Sequence, residues 1–392
     1  MTAAFVGRYN GCPFVISDSR ITRVGSDGSH ISIPVLNEPD IFVPLEYHQQ
    51  IVDMENKIVF ISNELVICWA GSRIEAAAVI RVLKDDDFSC SIEDFFKKIS
   101  AVFTNIKNEE KIADLSIVGF FTNALCFETF KFEFKNSEFH RGGDYCIGEG
   151  GWLLDKYFSE KNKDKVLILD KKLSADQEIK NILLASIGFF FSEEKIIGTF
   201  LENVSGCSFS AAWISGGYLR VLENYSIYSF EMEVESYGYG SYHYKVDLDL
   251  VLDRMFVRDG ERFRSFRFEP AGEWCYKLNL DDFESHIVNH SIHDLRRGEV
   301  AGAEHCFLEE EHCAGVVRNN AILCVFIRHN GRVVYSVELY ENEHNCNPIS
   351  YGEPQDGVQL IKVDETMFRN LVGYIHAPRM ERFGDGITGR ND

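Results

Sequence analysis

The dipeptide Asn10-Gly11 lies between two apolar runs, residues 3–9 and 13–17, at the start of the chain. Asn-Gly is the favoured pair for a two-residue hairpin turn, because both residues tolerate positive φ. The chain is therefore expected to open with a tight antiparallel hairpin. Thr2 stands in front of it, directly behind Met1, and Asp18-Ser19-Arg20-Ile21-Thr22 follows it. A second strand pair is expected over 57–61 and 64–68, leading through Trp69-Ala70 to Gly71. The rest of the chain is read around this frame.

Thr2 has a specific chemical use if it becomes the first residue. A threonine hydroxyl is a weak nucleophile and needs a base beside it. The α-amine of an N-terminal threonine can be that base, directly or through one water. Such an amine titrates near pH ~7.7–8.0 in model peptides, so part of it is neutral at physiological pH. A lysine ammonium nearby favours the neutral form further. An aspartate holds that lysine charged and in place, and a backbone N–H at a helix start binds a developing oxyanion. Thr2, Asp18, Lys57 and Gly71 are the residue types this scheme needs. Thr2 is small, and aminopeptidases that remove initiator methionine accept small second residues, so loss of Met1 is expected.

The order and spacing of Thr2, Asp18-Ser19-Arg20-Ile21-Thr22, Lys57 and Ala70-Gly71 resemble those of proteasome β-type subunits. These are threonine peptidases of the N-terminal nucleophile (Ntn) hydrolase superfamily. The resemblance covers about residues 2–222, most closely as far as Gly71. It implies an α+β fold, a four-layer αββα sandwich, and roles for Thr2 as nucleophile, Lys57 and Asp18 as its activating pair and the Gly71 N–H at the oxyanion. By family position, Ile21, Thr22, Glu55, Val59, Trp69 and Arg73 would surround the pocket for the residue before the cleaved bond. Trp69 would make that pocket shallow and favour a small side chain; the other reading of Trp69 is plain packing between sheet and helix.

Three departures bear on activity. The link from Asp18 to Lys57 is long and carries Gly25, Gly28, Pro34, Pro39 and Pro44, so residues 23–56 read as an excursion loop or extra hairpin. Gly148-Glu149-Gly150 stands where the family has Gly-Ser-Gly. Ser215-Gly216-Gly217 matches its Ser-Gly-Gly, with Ala212 in place of the usual aspartate. Ser215 would assist the amine. Glu149 beside the amine would hold it as a cation and weaken it as a base; turned away, it would leave the amine unaffected.

Periodicity places the later elements. Ile74, Ala77 and Ala78 mark one helix face after Gly71. Ile92, Phe95, Phe96, Ile99, Val102, Phe103 and Ile106 mark a second helix behind a Ser91 cap. Strands are expected over 114–120 and 124–134, then a helix over 152–158. Ser174-Ala175-Asp176-Gln177 is a capping box for a helix to Phe191. Strands over 208–214 and 218–222 close this part. The order implies two sheets face to face with helices outside.

Residues 223–392 read as a β-rich second domain of no recognised family, with hairpins at Asp259-Gly260 and Asn330-Gly331. Tyr237 to Tyr242 is an aromatic-glycine linker or contact loop, and the polar tail after Pro378 is expected to fray. His305-Cys306, His312-Cys313, His344 and Cys346 are zinc-capable types, but their spacing is not that of a Cys-x-x-Cys site. Thiols and surface histidines are the simpler reading, and no metal is expected. No glycine-rich phosphate loop appears, so no cofactor is expected either.

Composition sets the remaining bounds. At 392 residues the chain is long enough for two domains. A net charge of −21 has the wrong sign for nucleic acid or an anionic membrane. Eleven cysteines, odd in number and behind no signal peptide, fit reduced thiols in a cytoplasm. The longest apolar run, 182–191, is far short of the ~20 residues of a membrane span.

The leading expectation is thus a cytoplasmic threonine hydrolase acting on peptide or protein substrates. Family resemblance adds a homo-oligomeric ring and an ATP-dependent unfoldase as partners. Two alternatives stand beside it: a catalytically inactive assembly or binding protein on the same fold, and a small-molecule Ntn amidohydrolase.

Overall fold

A computed structural model describes residues 2–24, 49–86, 88, 90–123, 126–158, 174–197, 208–216, 218–234, 248–260, 262–288, 304–305, 320–329, 332–340, 349–353 and 355–365. The fold is mixed α/β and rich in sheet. In order come β1 (Ala4–Tyr9), β2 (Cys12–Asp18), β3 (Arg20–Val24), β4 (Gln49–Met54), β5 (Ile58–Phe60), β6 (Leu65–Gly71), α1 (Arg73–Lys84) and α2 (Ile92–Glu110). Next are β7 (Leu115–Thr122), β8 (Phe127–Glu133), β9 (Glu138–Arg141), β10 (Tyr145–Ile147), α3 (Gly151–Phe158), α4 (Ala175–Ile197), β11 (Phe209–Ser215) and β12 (Tyr218–Leu222). The remainder is strand: β13 (Asn224–Val234), β14 (Leu248–Asp259), β15 (Arg262–Gly272), β16 (Cys275–Ile287), β17 (Glu304–His305), β18 (Ala321–His329), β19 (Arg332–Tyr340), β20 (Ile349–Tyr351) and β21 (Val358–Val363).

The chain forms two compact units that do not follow a single cut. One comprises Met1–Tyr225, Val257–Arg264 and Ser285–Glu311; the other comprises Ser226–Phe256, Ser265–Glu284 and His312–Asp392.

The first unit is built on the opening hairpin. Asn10 and Gly11 have φ of 46° and 79°, the left-handed pair that a tight turn between twisted strands requires. β1 and β2 pair antiparallel from Tyr9↔Cys12 to Ala4↔Ser17. They lie inside a six-stranded sheet of order β10-β1-β2-β11-β12-β17. A five-stranded sheet runs β5-β6-β7-β8-β9 in chain order.

The period of two in these strands sorts their side chains to two destinations. Val66, Cys68 and Ala70 join Ala4, Val6, Val15 and Ala212 of the six-stranded sheet in one buried cluster. Leu65, Ile67 and Trp69 turn the other way and pack with α1 and α2. The opposite face of the six-stranded sheet carries Phe5 and Phe14, which lie 4.7 and 5.0 Å from the ring of Phe158 in α3. Phe209 packs on Phe190 of α4 at 5.1 Å.

The expected helix signals have the following outcomes. Ser91 Oγ accepts the Asp94 N–H at 3.2 Å, and Phe95, Phe96, Ile99, Phe103 and Ile106 are buried. At Ser174 the capping box is reciprocal: Ser174 Oγ accepts the Gln177 N–H at 3.2 Å, and Gln177 Oε1 accepts the Ser174 N–H at 3.1 Å. α1 corrects the expected phase. Gly71 ends β6 rather than opening the helix, and Ser72 is the cap, accepting the Glu75 N–H. The buried face is Ala76, Val79, Ile80 and Leu83, while Ile74 is 83% exposed. Larger residues at helical spacing in the second half of α1 set its rotation.

The long link between Asp18 and Lys57 is a hairpin at its base. β3 and β4 pair from Arg20↔Met54 to Val24↔Gln49, with a bulge at Ile21/Thr22. Residues 25–48 lie outside the described residues, as do Tyr237 to Tyr242, the tail after Pro378, Asn330-Gly331, and Cys306, His312, Cys313, His344 and Cys346.

The second unit is dominated by an eight-stranded sheet of order β19-β18-β13-β14-β15-β16-β21-β20. β13 and β18 pair parallel, whereas β18–β19, β16–β21 and β20–β21 pair antiparallel. Gly260 at the β14–β15 turn has φ of 54°. Among the described residues no helix is long and apolar enough to cross a membrane. No group of three His, Cys, Asp or Glu side chains among them is placed to hold a metal ion.

Candidate active site

Three strand ends converge on Thr2. It lies just before β1, Asp18 closes β2, and Lys57 precedes β5. Antiparallel pairing carries the open end of the first hairpin past Ala4↔Ser17: Asp18 N–H donates to the Ala3 carbonyl at 3.0 Å, and Ala3 N–H donates to Asp18 Oδ1 at 3.2 Å. Lys57 Nζ then donates to Asp18 Oδ1 and to Thr2 Oγ1, each at 2.8 Å. All three residues are buried, at 4% exposure for Thr2, 1% for Asp18 and 0% for Lys57. A buried ammonium is costly unless paired and hydrogen-bonded, and here it has a carboxylate and a hydroxyl oxygen as acceptors. Thr2 Oγ1 receives a bond from a cation, which stabilises developing negative charge on that oxygen.

Cys68 lies behind this group on β6. Burial pushes its thiol up to about 12, against smaller lowering contributions from a Ser17 hydrogen bond and the Lys57 charge. It stays protonated near neutral pH, which makes it a weak nucleophile.

Glycines shape the approach to Thr2. Gly148 has φ of 79°, and a Cβ there would stand 2.0 Å from the Thr2 carbonyl oxygen. Gly150 N–H donates to that same oxygen at 3.1 Å. The Gly148-Glu149-Gly150 run therefore seats the Thr2 backbone, and the exposed Glu149 borders the opening. Gly71 has φ of 114°, and a Cβ there would meet the Asp114 carbonyl oxygen at 2.0 Å.

A cleft of about 440 Å³ opens over Thr2, bordered by Ile21, Trp69, Gly71, Arg73 and Glu149. Of the residues expected around a substrate pocket, Ile21, Trp69 and Arg73 border it. Glu55 lies beneath, 3% exposed, with Oε2 2.6 Å from Arg73 Nε. Trp69 is only 2% exposed and packs mainly among α1, α2 and the five-stranded sheet. Val59 does not reach the cleft: it packs toward the helices, because Ile58 beside it takes the inter-sheet face. The Thr22 side chain is outside the described residues. Arg20, fully buried, also borders the cleft; in the sequence it stands only within the Asp18–Thr22 run, with no role of its own.

Ser215 is a correction. β11 runs antiparallel to β2 with Phe209↔Asp18 and Trp213↔Phe14, so its first residue is the one beside the site. Ser215 stands at the other end of the strand, on the order of 20 Å along it, where it hydrogen-bonds Cys12. Ala212 pairs with Val15 and packs between the sheets, so its replacing an acid says nothing about the site. The residue brought to the Asp18 end is Ser208, whose carbonyl accepts the Ser19 N–H at 2.9 Å.

No family model matches the chain, and no curated protein matches it. Solved structures do. An Anbu (Gly-1) mutant from Hyphomicrobium sp. strain MC1 is 11% identical over 55% of this chain and 82% of its own, with a TM-score of 0.35. Anbu (ancestral beta-subunit) from Yersinia bercovieri is 14% identical over 54% of this chain and 81% of its own, with a TM-score of 0.36. Similarity at that level carries no functional weight.

Proposed function

We propose that the chain is a proteasome-like threonine hydrolase that cleaves peptide or other amide bonds with Thr2 as an N-terminal nucleophile, exposed by removal of Met1. The observation that carries this is the buried Lys57 ammonium, 2.8 Å from both Thr2 Oγ1 and Asp18 Oδ1. A lysine that only balanced Asp18 would not need a hydroxyl at the start of the chain as its second acceptor.

In the proposed reaction the Thr2 amine takes the Oγ1 proton as Oγ1 attacks the amide carbon. Lys57 stabilises the oxygen as it loses that proton, and its charge keeps the amine neutral. Asp18 orients Lys57. The tetrahedral oxyanion is assigned to the Gly71 N–H. The C–N bond breaks, the amine delivers the proton to the departing nitrogen, and an ester to Oγ1 remains. Water adds to the ester with the amine again as base, releasing the acid and restoring the hydroxyl.

The proposal includes a four-layer αββα arrangement for residues 2–222, supported by the buried cluster between the sheets and the helices packed on their outer faces. It includes a cytoplasmic, ring-forming protein, which light scattering on the purified chain tests; a monomer refutes the ring. The inactive-scaffold reading loses one motive, since Ala212 lies away from Thr2, while the hydrolase reading loses Ser215 as an aid to the amine. The amidohydrolase reading retains support from the cleft, whose volume is in the range of small-molecule sites.

Mass spectrometry of the N-terminal peptide after incubation with a peptide epoxyketone tests the mechanism. The reagent bonds both the hydroxyl and the free amine of an N-terminal threonine. The expected product lacks Met1 and carries the adduct on Thr2, and Thr2→Ala abolishes turnover while preserving the fold. Unchanged turnover in Thr2→Ala would refute the mechanism.

A further inference from the structure

A buried polar chain leads from the C-terminal half of the sequence to the Thr2 site. Arg258, on β14 and 1% exposed, donates from Nη1 to Ser208 Oγ at 2.9 Å. Ser208 Oγ and Ser19 Oγ are 2.6 Å apart, and Ser19 Oγ also lies 3.1 Å from the Ser208 carbonyl. The directions are mutually consistent: the guanidinium donates to Ser208, Ser208 donates to Ser19, and Ser19 donates back to the Ser208 carbonyl.

Ser19 is the joint between the two residues that activate Thr2. It follows Asp18 directly, and its carbonyl accepts the Glu55 N–H at 2.8 Å, two residues before Lys57. A second strut meets the other side of that segment. Asn56 Oδ1 accepts the Ile58 N–H at 3.1 Å, and Asn56 Nδ2 donates to Glu223 Oε1 at 2.7 Å. The Glu223 carbonyl accepts the Gly260 N–H at 3.1 Å, from the turn that follows Arg258. Both struts thus originate beyond residue 222, and the segment Val257–Arg264 belongs to the same compact unit as Thr2. Ser19, Asn56, Ser208, Glu223 and Arg258 do not border the cleft, so none is placed to touch a substrate.

Burying a guanidinium is costly unless its partners compensate. A hydroxyl that accepts from a cation is held more firmly than one bonded to a neutral group. We propose that Arg258 is a positioning residue for the Thr2 site, acting through Ser208 and Ser19 on the Asp18–Lys57 pair. This rests on the hydrolase reading. The segment Val257–Arg264 is then part of the machinery that fixes the nucleophile.

The consequence is kinetic. A displacement of about 1 Å in such a site costs on the order of 100-fold in rate. If Lys57 drifts from Thr2, its charge no longer opposes protonation of the amine, and the amine titrates at higher pH. Among the described residues, the charged groups around Thr2 are Lys57 and Asp18 beneath it, Arg20, Arg73, Asp114 and Glu149 around the cleft, and Glu55 paired with Arg73. The neutral Cys68 thiol lies behind. Removing Arg258 leaves all of these in the chain.

The test is the pH dependence of Thr2 labelling by a peptide epoxyketone, followed by mass spectrometry on the full-length protein. Arg258→Met is compared with Arg258→Lys and Ser208→Ala, and folding is checked by circular dichroism. The expected result for Arg258→Met is a roughly 10- to 100-fold lower maximal labelling rate. Reagent affinity stays unchanged, the acid limb moves to higher pH, and Arg258→Lys recovers part of the loss. If Arg258→Met does not fold, Ser208→Ala, which removes one hydroxyl, carries the decision through the same displaced limb. A folded Arg258→Met or Ser208→Ala that labels with the wild-type rate and pH profile overturns the proposal and leaves the hydrolase reading standing. A wild-type protein that loses Met1 and is not labelled at Thr2 overturns the hydrolase reading, and this proposal with it.

Discussion

Lys57→Met offers a test of the site that needs no substrate. The variant keeps an unbranched apolar stem of similar shape and removes the ammonium. Asp18 is then left 1% exposed, with the Ala3 N–H as the remaining donor to Oδ1 among the described residues. At 2.8 Å the lost Coulomb attraction is about 6 kcal/mol for an effective dielectric near 20. Much of it is offset in the intact protein by the cost of burying both charges. Removing one partner exposes the other half of that balance, and stranding a buried charge costs about 3–5 kcal/mol. At about 2–4 °C per kcal/mol for a domain of this size, the melting temperature should fall by roughly 6–20 °C. Asp18→Asn should cost a similar amount by stranding the lysine. The double variant should recover much of the loss, because no unpaired charge remains. Thermal melts by circular dichroism at neutral pH read all three. A Lys57→Met protein that melts within about 2 °C of wild type, less than 1 kcal/mol at that conversion, would show that the pair is not desolvated as described and would undo the reasoning.

The other predictions concern neighbouring groups. Gly148→Ala should displace the Thr2 carbonyl, 2.0 Å from the added Cβ, and lower epoxyketone labelling by at least about tenfold in a folded protein; unchanged labelling would contradict the close approach. Ser215→Ala should leave labelling within about twofold of wild type, since the serine sits against Cys12 at the other end of the strand; a large loss would place it back at the site. Burial raises the Cys68 thiol to about 12, so at pH 8 it is in the unreactive protonated form. Peptide mapping after iodoacetamide treatment of the folded protein should find it unmodified, and appearing as alkylated only after denaturation.

The convergence of Thr2 and Asp18 was legible because short-range chemistry settles it. A two-residue turn at Asn10-Gly11 fixes the register of β1 on β2, and that register fixes which residues meet at the open end. Lys57 was legible through its order and spacing with the other two. Ser215 was misassigned because a Ser-Gly-Gly string carries no information about which end of β11 lies beside β2; pairing between strands nearly two hundred residues apart decides that. Val59 failed for a related reason, since in a three-residue strand neither face is visible until both neighbours are placed. The spacing of Ile74, Ala77 and Ala78 marks one face of α1, whereas the larger residues later in the helix choose the face that is buried. Arg258, Ser208 and Glu223 left no local signal, because a buried polar contact across long sequence separation has no period and no motif.

The ladder between β3 and β4 closes at Arg20↔Met54, between Asp18 and Lys57, and extends to Val24↔Gln49. Whatever sequence continues beyond that point enters and leaves through a fixed gate. Closure entropy grows only slowly with the length enclosed, about 0.6 kcal/mol per doubling. The ladder's own pairing, rather than the length of chain that joins its far ends, therefore sets the separation of the two residues that flank it. Asp18 and Lys57, more than thirty residues apart in sequence, are thereby held as near neighbours by a short-range device.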